Sequence, residues 1–148
     1  MTFPTEFDFF VLKIGDGGSP SETFTISCGK ADVNINVSAD SSDHYVRDCA
    51  KPGAVPARKV RFSGKKLDVT ASGLTNADTY ADEIDLVGTK VNVKVEYCAE
   101  NGTDGGVLLG TLACKMGITA LNITGPRDGN SSCEITLVSD GAWTYTAA

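Results

Sequence analysis

The side chains with the most chemical potential in this sequence are five cysteines and a single histidine. His44 and Cys49 form the one close pair, and a cysteine hydrolase would need an imidazole to activate the thiolate and a third group to orient that imidazole. Both residues lie in a polar segment with no signature of that arrangement. No serine occupies a nucleophile elbow, and no pair of carboxylates is spaced for acid–base work. The sequence therefore predicts no catalytic residues and no enzyme.

Metal binding is not indicated either. A structural zinc site uses about four Cys or His ligands, commonly in two close pairs. The cysteines here are scattered singly, at Cys28, Cys49, Cys98, Cys114 and Cys133. A calcium loop would need oxygen ligands at alternating positions around a tight glycine turn, and no acidic segment has that form. We expect no metal and no other cofactor.

The cysteines divide by position along the predicted strands. Cys28, Cys114 and Cys133 fall on the apolar side of their strands and are predicted to be small buried hydrophobes. Cys49 lies in a loop and Cys98 falls on the polar side of its strand, so these two are predicted to be exposed thiols. Without a recognisable secretory signal, reduced cytosolic thiols are expected. We hypothesise that Cys49 or Cys98 cross-links neighbouring subunits once an assembly meets an oxidising environment.

Length and charge narrow the function classes. The chain has 148 residues, of which 41% are hydrophobic, and this predicts one domain over residues 1–148 with a packed core. A formal net charge of −6 disfavours nonspecific adhesion to nucleic acid or to an anionic membrane. No apolar run approaches the roughly 20 residues of a membrane-spanning helix. We therefore expect neither a nucleic-acid binder nor a membrane protein.

Alternating apolar residues predict about eight short strands. A helix is predicted over residues 75–87, with Asn76 or Asp78 as its N-cap and Gly88 in a left-handed conformation after its end. This order favours a mainly β fold, an antiparallel sandwich or barrel with one short flanking helix. The predicted strands cover 7–14, 24–28, 33–37, 60–62, 67–69, 91–97, 108–116, 121–123 and 133–137.

Two segments in the first half of the chain are singled out. Residues 38–57 have no periodicity, contain Pro52, Gly53 and Pro56, and predict a long loop, which in a compact domain is usually functional. The strands on either side of Ser63-Gly64-Lys65 predict a hairpin with its turn there.

Opposite charges cluster on two of these elements. The acids of the helix have a simple interpretation as a solvated face, and the bases of the hairpin as charges that protect a sheet edge from unwanted pairing. Phosphate contacts are an alternative for the bases. A third interpretation pairs the two clusters between identical subunits arranged head to tail. The residues of that predicted subunit interface are Arg58, Lys59, Arg61, Asp82, Glu83 and Asp85.

From Phe62 onward, the order of elements resembles the tail tube, or major tail, proteins of long-tailed bacteriophages and their gene-transfer-agent relatives. Residues 62–74 predict a strand that ends in Ser-Gly-Leu and is followed by a short helix. A second strand begins after Gly88, and a third begins at Gly110 and reaches Thr124. Residues 133–143 contain the last strand and a glycine after it. The order and spacing carry the resemblance, since none of these motifs is chemical.

The resemblance implies a structural virion protein. Six copies would form a ring, and stacked rings would form a hollow tail tube, assembled in the bacterial cytoplasm, through which phage DNA passes. The implied partners are further copies, the terminator, the tip or baseplate, the tape measure and, in a contractile tail, the sheath. The long loop would bridge stacked rings, through Asp43, His44, Tyr45, Val46, Arg47, Asp48, Cys49 and Lys51. The alternative is a head-decoration or tail-associated sandwich module, which would share the β pattern but need no ring-closing interface.

Overall fold

The computed structural model describes residues 3–19, 21–27, 29 and 31–148. This part of the chain is mainly β, as predicted. Its elements are β1 (Phe9–Gly15), β2 (Phe24–Ile26), β3 (Asp32–Val46), β4 (Ala57–Leu74), α1 (Ala77–Leu86), β5 (Lys90–Ala99), β6 (Val107–Thr124) and β7 (Ser132–Ala147).

These strands form one antiparallel sheet in the order β2-β1-β5-β6-β7-β4-β3. The sheet curls, because β1 near one edge comes into contact with β3 at the other edge. One face of the curled sheet encloses a single hydrophobic core to which β1, β4, β5, β6 and β7 all contribute. The expected sandwich or barrel is therefore realised as a single curled sheet.

Only the second half of β4 packs its side chains into the hydrophobic core. Leu67, Val69 and Ala71 alternate along this half and are fully buried. Val69 lies opposite Leu137 of β7 in the ladder, and Ala71 lies opposite Ile135. Directly opposed side chains share a face of the sheet, so these residues form one buried layer.

The first half of β4 leaves the core and pairs only with β3. Every residue from 39 to 66 is exposed. Val46 pairs with Ala57 at the far end of this hairpin, and residues 47–56 connect the two strands. At about 3.3 Å per residue, the hairpin projects roughly 30 Å from the body. We call residues 41–62 the arm.

The arm corrects two predictions. Residues 38–57 are not a structureless loop, because β3 continues to Val46, and no turn occurs at Ser63-Gly64-Lys65. The ladder instead shifts register there: Asp40 pairs with Gly64 and Ser41 with Phe62, which leaves Ser63 as an extra residue. Such a bulge switches which sequence positions face one side, and this switch imitates a break between two short strands.

The helix agrees with its prediction. It begins at Ala77 after Asn76, whose side-chain oxygen accepts a hydrogen bond from the Asp78 amide at 3.1 Å. Gly88 follows the helix with a φ of +87°. Its amide donates to the Ile118 carbonyl at 2.8 Å, and this bond attaches the end of the helix to β6.

Two further predictions are modified along β5 and β6. The hairpin that joins them around residues 100–106 is confirmed. The strands expected at 108–116 and 121–123 are parts of the single strand β6, whose pairing with β7 shifts between Cys114 and Met116 and again between Ile118 and Ala120. These irregularities bend a long strand that sequence periodicity divides in two.

A close backbone approach at the end of β4 explains the glycine of its Ser-Gly-Leu stretch. A Cβ atom added to Gly73 would collide with the carbonyl oxygen of Gly29. The obstacle is backbone, so it cannot rotate away. We expect Gly73→Ala to lower the free energy of unfolding by about 1–3 kcal/mol, as overpacking does, measured by urea denaturation.

Gly64 provides the control, because it lies on the same strand with no atom within 4 Å of an added Cβ. Gly64→Ala should change the stability by less than about 0.5 kcal/mol. Equal losses from the two substitutions would show that the contact with Gly29 is not the cause.

Candidate functional site

The arm has two faces of different chemistry. Opposed residues of an antiparallel pair share a face, and successive residues alternate between faces. The observed register therefore separates the paired residues of the arm into two sets. We call Ser41, Asp43, Tyr45, Arg58, Val60 and Phe62 the apolar face, and Ser42, His44, Val46, Ala57, Lys59 and Arg61 the basic face.

The apolar face exposes large hydrophobic side chains. Tyr45 is 72% exposed, Phe62 71% and Val60 46%. The charges on this face neutralise each other, because Arg58 Nη2 lies 2.8 Å from Asp43 Oδ2. Since β3 has no extra residue, this face continues the core-facing side of the sheet. Contiguous exposed apolar groups of this kind are typical of protein–protein contact surfaces.

The basic face carries positive charge without a compensating acid. Lys59 lies directly opposite His44, and Arg61 lies opposite Ser42. All four side chains are exposed. With a neutral histidine the face has two positive charges, so it favours an acidic partner surface.

The base of the arm is fixed by two contacts from β7. The Leu67 amide donates to Ser139 Oγ at 3.1 Å, which takes over where the backbone ladder between β4 and β7 ends. Lys65 Nζ lies 5.4 Å from the ring centroid of Trp143, a cation–π contact. The direction of the arm is thus set where it leaves the core.

A groove of about 690 Å³ lies between α1 and strands β1, β2 and β5. Asp82 and Asp85 of α1 line it on one side, and Asp16 lines it on the other. The amides of Gly18 and Thr23 donate to Asp16 Oδ1 at 2.8 and 3.1 Å. These hydrogen bonds lower the pKa of Asp16, so its carboxylate is ionised at neutral pH. We call this the helix groove.

Glu83 does not belong to the exposed acidic surface. Its side chain turns toward the sheet and is only 6% exposed. Ser27 Oγ donates to Glu83 Oε1 at 2.9 Å. Glu83 stays a predicted subunit-interface residue, since it also lines the helix groove. Unlike Asp82 and Asp85 it is not exposed, because the helical periodicity that exposes those two turns the residue between them inward.

The predicted inter-ring loop and the predicted basic hairpin are one structure. Asp43, His44, Tyr45 and Val46 lie on β3. The bases of the hairpin lie on the partner strand β4. The connecting residues Arg47, Asp48, Cys49 and Lys51 form the exposed tip of the arm. Arg58 already has an ion-pair partner on the apolar face, which leaves Lys59 and Arg61 as the open cations of the predicted interface.

Of the four cysteines that the structure describes, three have the predicted exposure and Cys98 does not. Cys49 is exposed, and Cys114 and Cys133 are buried. Cys98 is also buried, at 3% exposure, although it does alternate away from Val95 and the main core. It lies on an inner strand directly opposite Phe9 of β1, so longer neighbours cover a small side chain on the outer face. Cys28 lies outside the described residues.

Burial excludes Cys98 as a ready cross-linking thiol, and burial also raises its pKa. Of the two thiols proposed for cross-linking, only Cys49 is accessible. Within the described residues, no three His, Cys, Asp or Glu side chains are grouped to hold a metal ion. No helix in the described ranges has the length and apolarity to cross a membrane.

The sequence matches the model of the family described as "Phage tail tube protein" over residues 4–145. The chain belongs to the phage tail tube protein family. No curated protein matches it. The assignment therefore depends on the family match, which spans nearly the whole chain.

Solved structures share the fold of this tail tube protein at low sequence identity. The tail of an empty gene transfer agent particle, refined with C6 symmetry, has a TM-score of 0.65 and 20% identity, with 92% of this chain and 96% of that chain covered. The sheath–tube complex of the PVC extracellular contractile injection system has a TM-score of 0.66 and 17% identity, with 99% of this chain and 93% of that chain covered. The SPP1 tail tube has a TM-score of 0.61 and 10% identity, with 98% of this chain and 80% of that chain covered.

Sequence reasoning missed the residues that hold the arm in place. Ser139 and Trp143 come from the far end of the chain, and neither has a local pattern that links it to β4. The bulge at Ser63 did leave a trace, because apolar residues change from odd positions at Leu67 and Val69 to even positions at Phe62. That change fits a turn as well as a bulge, so the sequence could not identify the arm.

Thiol labelling tests the cysteine assignments. In a Cys28→Ser background, we expect one thiol of the folded protein to react rapidly with a disulfide reagent at pH 8, and this thiol to be absent after Cys49→Ser. Cys98 and Cys114 should react far more slowly, because burial raises their pKa and leaves less of the reactive thiolate. Denaturant should expose all of them. Rapid labelling of Cys98 in the folded chain would contradict its burial.

Proposed function

We propose that this tail tube protein forms six-membered rings that stack into the hollow tail tube of a virion, through which DNA passes. The observation that carries the proposal is the family match over residues 4–145, combined with an arm whose residues are all exposed in the single subunit. The sixfold arrangement is supported by the C6 symmetry of the related gene-transfer-agent tail. The decoration-module alternative has no comparable support.

The edges of the sheet favour lateral association. β3 ends the sheet on one side with fifteen residues, and the short β2 ends it on the other. An unpaired strand edge is a template for another chain. Edge-to-edge pairing of neighbouring subunits would continue the sheet around a ring and would also remove the exposed edges.

The arm is suited to bridge successive rings. Its reach of roughly 30 Å extends beyond the subunit body, and its apolar face offers a surface that gains stability when covered. The tip residues, from Arg47 to Lys51, would contact the next ring first. In this proposal the residues predicted as an inter-ring loop act together as one rigid β-hairpin.

Net charge supports the role as a conduit. A net charge of −6 per subunit would be multiplied in an assembled tube. A predominantly negative wall repels phosphates, so DNA could pass without adhering.

The partners follow from the same assembly. The matched tube of the contractile injection system occurs in complex with a sheath, and other matches come from a tube terminator and a baseplate. We propose that this chain likewise contacts a terminator and a tip or baseplate, encloses a tape measure, and binds a sheath if the tail is contractile. Assembly would take place in the cytoplasm of the bacterial host.

Shortening the arm tests its role in stacking. Ser42 and Arg61 are paired, so replacing residues 43–60 by Asn-Gly leaves a tight hairpin turn between them. We expect the variant to keep the melting temperature of the full chain within a few degrees, because the removed residues are exposed. It should form no tubes in negative-stain electron microscopy, whereas the full chain forms rings or tubes.

The turn that joins β6 to β7 gives the matched control. Shortening the exposed 125–130 turn should leave tube formation unchanged if stacking depends on the arm in particular. Long tubes formed by the arm-shortened variant would assign the bridging role to another segment.

Covalent cross-linking tests the position of the tip. We expect assembled tubes exposed to oxidant to give a band of disulfide-linked dimers on a nonreducing gel, because one accessible thiol per subunit forms one disulfide, and Cys49→Ser to abolish that band. Cys98→Ser should leave the dimer band unchanged, because that thiol is buried. Absence of the dimer band from oxidised wild-type tubes would show that the Cys49 side chains of neighbouring subunits do not meet.

A further inference from the structure

We propose that the basic face of the arm docks into the helix groove of a second copy of this chain. The inference rests on the proposed tube assembly and specifies one of its contacts. In this contact the face of the arm that carries His44, Lys59 and Arg61 binds the groove. The apolar face stays available for contacts that bury hydrophobic surface.

The basic face is available for such a contact. Its three basic side chains are exposed, and its register places no carboxylate among them. Asp40, the next residue on this side of β3, lies outside the arm and opposite Gly64. Asp43, within the arm, lies on the other face, where its Oδ2 is 2.8 Å from Arg58 Nη2. The cations of the basic face therefore lack a fixed partner within the arm.

The helix groove has the complementary charge. Asp82 and Asp85 are exposed along α1, and Asp16 faces them from the loop after β1. Of the two lysines that also line the groove, Lys90 is engaged by Asp140 at 3.4 Å. The remaining lysine, Lys115, does not balance the four acidic residues that line the groove, Asp16, Asp82, Glu83 and Asp85. The groove is thus an acidic cleft.

The helix itself provides a second, independent reason to expect a cation there. Asp85 lies in the last turn of α1, and that turn contains no basic residue. The peptide dipoles place partial negative charge at this end of a helix, so an acid is unfavourable there. A lysine or arginine from another molecule would offset this repulsion. Residues that break a local rule in this way commonly belong to functional contacts.

The positions of the two surfaces favour a second copy as the occupant. The groove is lined by α1 and by strands β1, β2 and β5, whereas the arm projects from β3 and β4, so the two surfaces belong to different elements of the subunit. Complementary surfaces on two different patches of one subunit produce head-to-tail contacts that repeat from copy to copy. The groove also has apolar walls at Ile14, Ile26 and Val91, against which the stems of Lys59 and Arg61 could pack.

Reciprocal charge reversal tests the pairing. We expect Lys59→Asp/Arg61→Asp and Asp82→Lys/Asp85→Lys each to raise the protein concentration needed for tube formation at least about tenfold at low salt, because each places like charges in contact. The combination of all four substitutions should return this concentration to within about threefold of wild type, because the attraction is restored with its sign reversed. Arg127→Asp, in the exposed 125–130 turn, should have no effect. Melting curves of the variants verify that they fold.

The outcomes separate this inference from the proposed function. Wild-type tubes with both double variants assembling normally would overturn the pairing and leave the tube function intact. Loss of assembly in the arm variant without recovery in the fourfold variant would also overturn it, since the basic face would then have another partner. Failure of the wild type to form rings or tubes, with and without preformed tubes as seeds, would overturn the proposed function itself.

Discussion

The fold depends on one constraint, which is that a single strand must serve both the core and the arm. The second half of β4 is fixed by Leu67, Val69 and Ala71, which pack beside Ile135 and Leu137. Hydrophobic burial of these side chains sets the register of β4. Because strand pairing propagates along the ladder, this register and the extra residue at Ser63 together determine which residues of the first half face each side. The chemistry of the exposed arm is therefore controlled by contacts in the buried body.

Surfaces that contribute little in the single subunit become interpretable in an assembly. Exposed aromatic groups on one face of the arm, unpaired cations on the other and acids near the end of α1 add little to the stability of an isolated monomer. The core does not include them, so the subunit can fold first and associate afterwards. The contacts that cover these groups repeat at every copy, and small individual gains therefore add up along a tube.

Register irregularities explain most of the differences between prediction and structure. The strands from Val91 to Tyr97 and from Cys133 to Leu137 are regular, and alternation located both. Two predicted strands and a predicted loop are one hairpin in the structure, with a bulge at Ser63. The apolar residues change there from odd to even positions, and a bulge and a turn produce the same change. Cys98 shows a different limit of sequence-based prediction. Alternation placed it correctly on the side of the sheet away from the main core, but it is buried because residues of adjacent strands cover it. Glu83 was predicted to be exposed with its acidic neighbours, because the residue type does not show toward which side of the helix a side chain points.

The sequence by itself determined the mainly β architecture, the position of the helix and its caps, and the resemblance to tail tube proteins. These depend on local periodicity, on capping chemistry and on the order of elements, all of which are properties of neighbouring residues. Only the tertiary structure decided that the charged hairpin and the long loop are the same arm, which residues share each of its faces, and which helix acids reach the groove. Those features depend on strand pairing between residues far apart in the chain, where one extra residue in a ladder redirects every side chain beyond it.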